Sequence, residues 1–216
     1  IQLPKPDVEK RKPVGSKILI GDSNARGAEN DIGDCLYWSA MNWYEFQQNF
    51  AGILGHEPVR KVVIATLLNF IEDEAYDQTR TNWEPVVEDF IRWVKLLAKE
   101  RPRVAFVVIS PFLRTDYPEH RQNLKRIREK LYAEFSKDIP EGNLRLDSSF
   151  VIEEQHLKKD GKHLKPEVQQ RYFQLIGSLF DEARVPVFDK LPYEVQANIR
   201  RSQGREMPPP QARGKE

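Results

Sequence analysis

Three short segments of this chain carry side chains that could do acyl chemistry. The first is Gly21-Asp22-Ser23-Asn24, directly after the apolar run Lys17–Ile20. A small residue followed by polar groups suits a sharp turn from strand into helix. The N–H groups left unpaired there favour negative charge. A serine at such a turn can attack a carbonyl carbon while its own backbone N–H receives the oxyanion. The plainer alternative is that Asp22 or Ser23 only caps a helix. The second segment is Leu67-Leu68-Asn69-Phe70, after the run Lys61–Thr66. The Asn69 amide can donate a hydrogen bond to an oxyanion, although a lone Asn is more often a turn former or cap. The third is Asp160-Gly161-Lys162-His163-Leu164-Lys165-Pro166-Glu167. An Asp three residues ahead of a His in a tight loop can bond one imidazole nitrogen and leave the other as a base. Its plainer reading is a solvated loop that caps the next helix. His56, His120 and His156 have no matching partners and read as surface or core residues. No third ligand accompanies His156 and His163, so they do not suggest a zinc site.

These segments need elements to hold them. Short apolar runs stand at Lys17–Ile20, Cys35–Trp38, Lys61–Thr66, Val104–Ile109 and Leu144–Leu146. Each is bounded by turn or charged residues and reads as a buried strand. Helical spacing appears over Trp83–Lys99, Glu119–Phe135 and Glu167–Ala183, with Pro166 suited to the first turn of the last. Shorter helices are expected after the first two strands. Five strands with helical crossovers imply an α/β fold, an open five-stranded parallel sheet with helices on both faces. Ligands in such a sheet bind beyond the carboxyl ends of the strands, where Ser23 and Asn69 are expected.

Length and composition agree with one such domain. The chain has 216 residues, 34 basic and 33 acidic, for a net charge of +1. That balance excludes a strongly basic or acidic arm dominating the whole chain. One cysteine, Cys35, excludes an intramolecular disulfide framework and a multi-thiolate metal site. No apolar run approaches the roughly 18 residues of a membrane span, and no signal peptide is recognisable, so a cytoplasmic or other intracellular setting is expected. Residues 1–15 read as a flexible linker, 16–185 as the folded domain, 186–201 as a docked or partner-binding extension, and 202–216 as a disordered tail.

Taken together, the three segments resemble the SGNH (GDSL-like) hydrolases. Gly-Asp-Ser-Asn follows the first strand, Asn follows the third, and Asp-Gly-Lys-His-Leu-Lys-Pro-Glu precedes the last helix. Val107-Val108-Ile109-Ser110-Pro111 is similar to that family's fourth strand and the loop after it. The resemblance covers about residues 16–183. It implies a sheet in strand order 2-1-3-4-5. It implies a serine-dependent esterase acting on a small acyl ester through an acyl-enzyme. Ser23 would be the nucleophile, His163 the general base and Asp160 its orienting carboxylate. Oxyanion donors would be the Ser23 N–H and the Asn69 side chain. The resemblance implies no metal and no organic cofactor.

The chain departs from that pattern in two places. The second block usually supplies a Gly whose N–H is a further oxyanion donor. Here the second strand runs into Trp38-Ser39-Ala40-Met41-Asn42-Trp43, and Ser39 or Ala40 would have to offer that N–H. The third block is usually Gly-x-Asn-Asp, but Leu67-Leu68-Asn69-Phe70 lacks the Gly and the Asp. These departures sustain a second reading, in which the domain is a binding module with weak or no catalysis. Some SGNH-like domains, the Oskar-like ones, bind RNA, and others are encoded by retroelements. The helix around Arg121, Lys125, Arg126 and Arg128 is rich in cations, and Arg200, Arg201, Arg205 and Arg213 add charge further on. Such patches can hold phosphates, although a solvated helix face is the commoner outcome. The presence of Ser23, Asp160 and His163 together favours the enzyme.

Overall fold

The computed structural model describes residues 16–56, 58–71, 82–137 and 142–183. The linker at 1–15, the extension at 186–201, the tail at 202–216 and the four arginines from Arg200 to Arg213 lie outside the described residues. Five strands form one sheet: β1 (Lys17–Gly21), β2 (Cys35–Ser39), β3 (Lys61–Ala65), β4 (Ala105–Ile109) and β5 (Leu144–Asp147). All neighbours are parallel, in the order β2-β1-β3-β4-β5. The five apolar runs therefore become the five strands, with ends shifted by a residue or so.

Alternation along each strand sends side chains to two cores. Ile18, Ile20, Val62, Ile64, Phe106 and Val108 face one layer. That layer is built by α1 (Trp43–Gly55), α3 (Glu84–Glu100) and α4 (Pro118–Lys137). Leu19, Val63, Ala65, Val107 and Ile109 face the other, which is covered by α5 (Pro166–Glu182) through Val168, Tyr172, Ile176, Leu179 and Phe180. Burial on both faces is why the strands read as continuous apolar runs rather than alternating ones. A short helix α2 (Leu68–Ile71) follows β3.

The segment after β1 differs from expectation. Instead of an α-helix it holds a turn and a four-residue 3-10 helix, Ala28–Asp31. Gly27, at φ 103°, breaks the path, and a Cβ there would press on the Phe173 ring at 3.3 Å. The helix after β2 is longer than expected, at 13 residues. Asn42 caps it by accepting the Glu45 N–H.

Candidate active site

In the parallel ladder Gly21 of β1 lies beside Ala65 of β3, so both chains leave the sheet at the same edge. Ser23 and Asn69 follow from these two adjoining ends. The turn after β1 is built on close approach. A Cβ on Gly21 would stand 2.6 Å from the Ala25 Cβ, so only glycine lets the chain double back here. The Tyr37 hydroxyl lies 2.8 Å from the Gly21 carbonyl and 2.9 Å from that of Asp22. The Asp22 carboxylate accepts the Asn24 N–H at 2.9 Å. Burial pushes the Asp22 carboxyl above its ordinary range, opposed by that N–H and by the charge of Arg114.

The His-bearing loop reaches this turn from the far end of the chain. Ser23 Oγ lies 2.9 Å from His163 Nε2. His163 Nδ1 lies 2.5 Å from Asp160 Oδ2. An ionised carboxylate only accepts, so the proton sits on Nδ1 and Nε2 is left to accept from the serine. The Asp160 carboxyl is held well below the usual carboxylate range, first by the backbone N–H of His163, then by its ring and the Lys162 N–H. The His163 and Asp160 side chains are 38% and 47% exposed, so the pair stands at an open rim.

This shift carries a sign. A carboxyl with a lowered folded value stabilises the fold fully above its unfolded value, about 3.9. That stabilisation is lost as pH falls from there through the folded value. Asp160→Asn should therefore be less stable than wild type to urea at pH 6. The gap should narrow as pH falls below about 4. A gap independent of pH would show that the charge of Asp160 contributes nothing.

Two residues that sequence reasoning left without a role hold the pieces together. The Asn24 amide clamps the loop on both sides of His163. Its Nδ2 donates to the Lys162 carbonyl at 3.1 Å, and its Oδ1 accepts the Leu164 N–H at 3.0 Å. Arg114, after β4, is buried and donates to Asn69 Oδ1 and to both carboxylate oxygens of Asp116. Burial alone would raise the Asp116 carboxyl, but the Arg114 guanidinium outweighs it and holds that carboxyl low. The same loop holds the peptide after Asp160: Thr115 N–H and Asp116 N–H donate to the Gly161 carbonyl at 2.8 and 3.3 Å. A small cavity of mixed lining, with Asp22, Ser110 and Arg114 among its polar walls and Leu67, Leu68 and Ile109 among its apolar ones, lies beside the Ser23 turn, with room for about one water.

The expected oxyanion donors divide. The Ser23 N–H makes no hydrogen bond among the described residues. Asn69 is buried, with Oδ1 held by Arg114. Ala40 is corrected: its N–H donates to the Gly21 carbonyl at 2.8 Å. The β2 ladder continues one residue beyond the strand and turns that N–H onto β1. Nor is the next N–H open, because Met41 donates to Glu45 Oε2 at 2.7 Å, an oxygen that also accepts the Ser39 hydroxyl. Burial pushes the Cys35 thiol up to about 12, so it offers no competing thiolate.

The cations of the basic helix go to different partners. Arg128 donates to the Pro111 and Ser148 carbonyls, at 2.6 and 2.8 Å. Arg121 pairs with Glu154 at 2.6 Å, and Lys125 lies 3.9 Å from Glu129. Arg126 is exposed. Arg128 and Arg121 thus reach different neighbours, while Lys125 and Arg126 stay exposed on the helix. His156 Nδ1 accepts the Glu153 N–H, while His56 and His120 are buried. Among the described residues no group of three or more His, Cys, Asp or Glu could hold a metal ion. None of the described helices is long and apolar enough to cross a membrane.

No family model matches the chain, and no curated protein matches it in sequence. Its fold is similar to solved structures. A candidate acylhydrolase from Bacteroides fragilis aligns with TM-score 0.54 and 17% identity, over 84% of this chain and 91% of that one. A candidate GDSL-like lipase from Bacteroides ovatus aligns with TM-score 0.49 and 13% identity, over 79% of this chain and 54% of that one. A candidate platelet activating factor from Streptococcus pneumoniae aligns with TM-score 0.49 and 13% identity, over 78% and 83%. At such identities the likeness is one of fold.

Proposed function

We propose that this chain, which has the SGNH hydrolase fold, is a serine-dependent esterase acting on a small acyl ester. One observation carries the reading: Ser23 Oγ, the His163 ring and the Asp160 carboxylate form a continuous hydrogen-bonded relay at 2.9 and 2.5 Å. In the first step Ser23 Oγ attacks the ester carbonyl carbon while His163 Nε2 takes the hydroxyl proton. Asp160 stays ionised and stabilises the imidazolium. The oxyanion is received by the Ser23 N–H and the Asn69 amide. Collapse expels the alcohol, which takes the proton back from His163 Nε2. Water, deprotonated by the same nitrogen, then attacks the acyl carbon, and the C–O bond to Ser23 breaks as Oγ takes that proton back from His163 Nε2 and the carboxylic acid leaves. Proton transfer of this kind contributes on the order of 10² to 10⁴ in rate.

A fluorophosphonate probe tests this directly, because it phosphonylates only a serine activated by a base. Wild-type protein should become labelled, with the adduct mapped to Ser23, and should hydrolyse a short-chain aryl ester. Absence of both labelling and turnover sinks the reading. Arg128 is committed to two backbone carbonyls and Arg121 to Glu154, so the esterase reading is preferred to nucleic-acid binding through Arg121, Lys125, Arg126 and Arg128.

A further inference from the structure

We infer that Arg114 is a positioning residue for catalysis, fixing the Asn69 amide so that its N–H donors serve the oxyanion. The inference rests on the esterase reading above and adds a residue to it. Its basis is a constraint of atom types. Arginine has five donors and no acceptor, so the Asn69 atom bonded to Arg114 must be the oxygen. The amide cannot turn over without presenting its own N–H groups to a guanidinium. Nδ2 is thereby held at the opposite end, and it makes no hydrogen bond to any described residue.

The guanidinium is itself immobilised. Arg114 is 4% exposed, and its Nε and Nη2 are held by the two oxygens of Asp116. A planar fork fixed on one edge leaves its remaining nitrogen in a set direction. Asn69 needs such a partner, for it lies in a four-residue helix and its next neighbour is Phe70 rather than a polar residue. The Thr115 and Asp116 N–H groups rest on the Gly161 carbonyl. One three-residue loop therefore holds the oxyanion donor on one side and the acid–base loop on the other.

Aryl-ester kinetics on a double-mutant cycle tests this. Asn69→Ala should lower kcat by about 10²- to 10³-fold, the effect of losing one oxyanion donor. Arg114→Ala should lower kcat by about 10- to 100-fold with KM changed less than about 3-fold, since the amide remains but is unaimed. In the Asn69→Ala background the same arginine change should add less than about 3-fold. Arg114→Lys, which keeps the charge and a donor, should recover part of the loss. It also replaces Arg114→Ala in the cycle if the alanine variant does not fold. An active wild type with a full, additive Arg114 effect in the Asn69→Ala background overturns this inference alone. So does an unchanged kcat in the arginine variants. A wild type that neither labels with fluorophosphonate nor hydrolyses ester removes the esterase reading and this inference together.

Discussion

Ser23→Ala should lower kcat for a short aryl ester on the order of 10⁶-fold, leaving the fold intact. The size follows from what the oxygen does. Without it there is no acyl-enzyme, and the only path left is attack by water with His163 as base. The oxyanion donors still operate in the variant, so a residual rate about 10³- to 10⁴-fold above the uncatalysed one should persist. No neighbour can stand in, because the chain's sole cysteine sits at the start of β2 with its thiol pushed up by burial. Stability should change by no more than about 1 kcal/mol, the net worth of one part-buried hydrogen bond. Matching urea curves beside a collapsed kcat would separate chemistry from structure. Turnover within about tenfold of wild type would show that Ser23 is not the nucleophile.

The second large effect is expected at Gly161. Its φ is +66°, and a Cβ there would lie 2.5 Å from Thr115 Oγ1 and 2.8 Å from the Asp116 nitrogen. The backbone nitrogen cannot step aside, because that N–H is bonded to Gly161 itself. Gly161→Ala meets two penalties. The left-handed conformation costs about 1–2 kcal/mol, and overpacking against a fixed loop about 1–3 kcal/mol. The total is about 2–5 kcal/mol, or a Tm lowered by roughly 5–15 °C for a domain of this size. Activity should fall too, by about 10²-fold, since Asp160 and His163 flank the displaced peptide and a shift near 1 Å is that damaging. Gly142→Ala is the control. Gly142 also has positive φ, at +115°, but a Cβ there meets nothing within 4 Å. That variant should lose stability and keep its kcat. Equal kcat losses in the two variants would detach Gly161 from the site.

The sheet and the proximity of Ser23, His163 and Asp160 are legible in the sequence, for identifiable reasons. Burial on both faces makes parallel strands uniformly apolar, so Lys61–Ala65 and Ala105–Ile109 stand out from charged surroundings. Chemistry at strand ends follows from topology, and this puts Ser23 and Asn69 after the carboxyl ends of the adjacent strands β1 and β3. What stayed hidden depends on contacts between distant segments. Arg114 reads as an ordinary loop arginine until α2 is brought against it. Asn24 looks like one more polar residue of a turn, although its amide spans both sides of His163. The Ala40 N–H was misread because nothing in Trp38-Ser39-Ala40 marks where the β2 ladder stops. The partners of Arg128 are not legible either, because a long apolar stem lets its head leave the helix face and settle on carbonyls of two loops.

The bond between Ser23 and His163 joins residues 140 positions apart in the chain. Contacts of such separation require a large loop to close, and they form late when a chain condenses. The serine turn is local to β1 and can be shaped early, yet it has no base until α5 is seated on the far face of the sheet. On the esterase reading, Ser23 is therefore synthesised 140 residues before the histidine that would activate it. Activity gained on refolding would then mark completion of the last layer rather than appearance of secondary structure. A chain interrupted anywhere before His163 would carry Ser23 without its base.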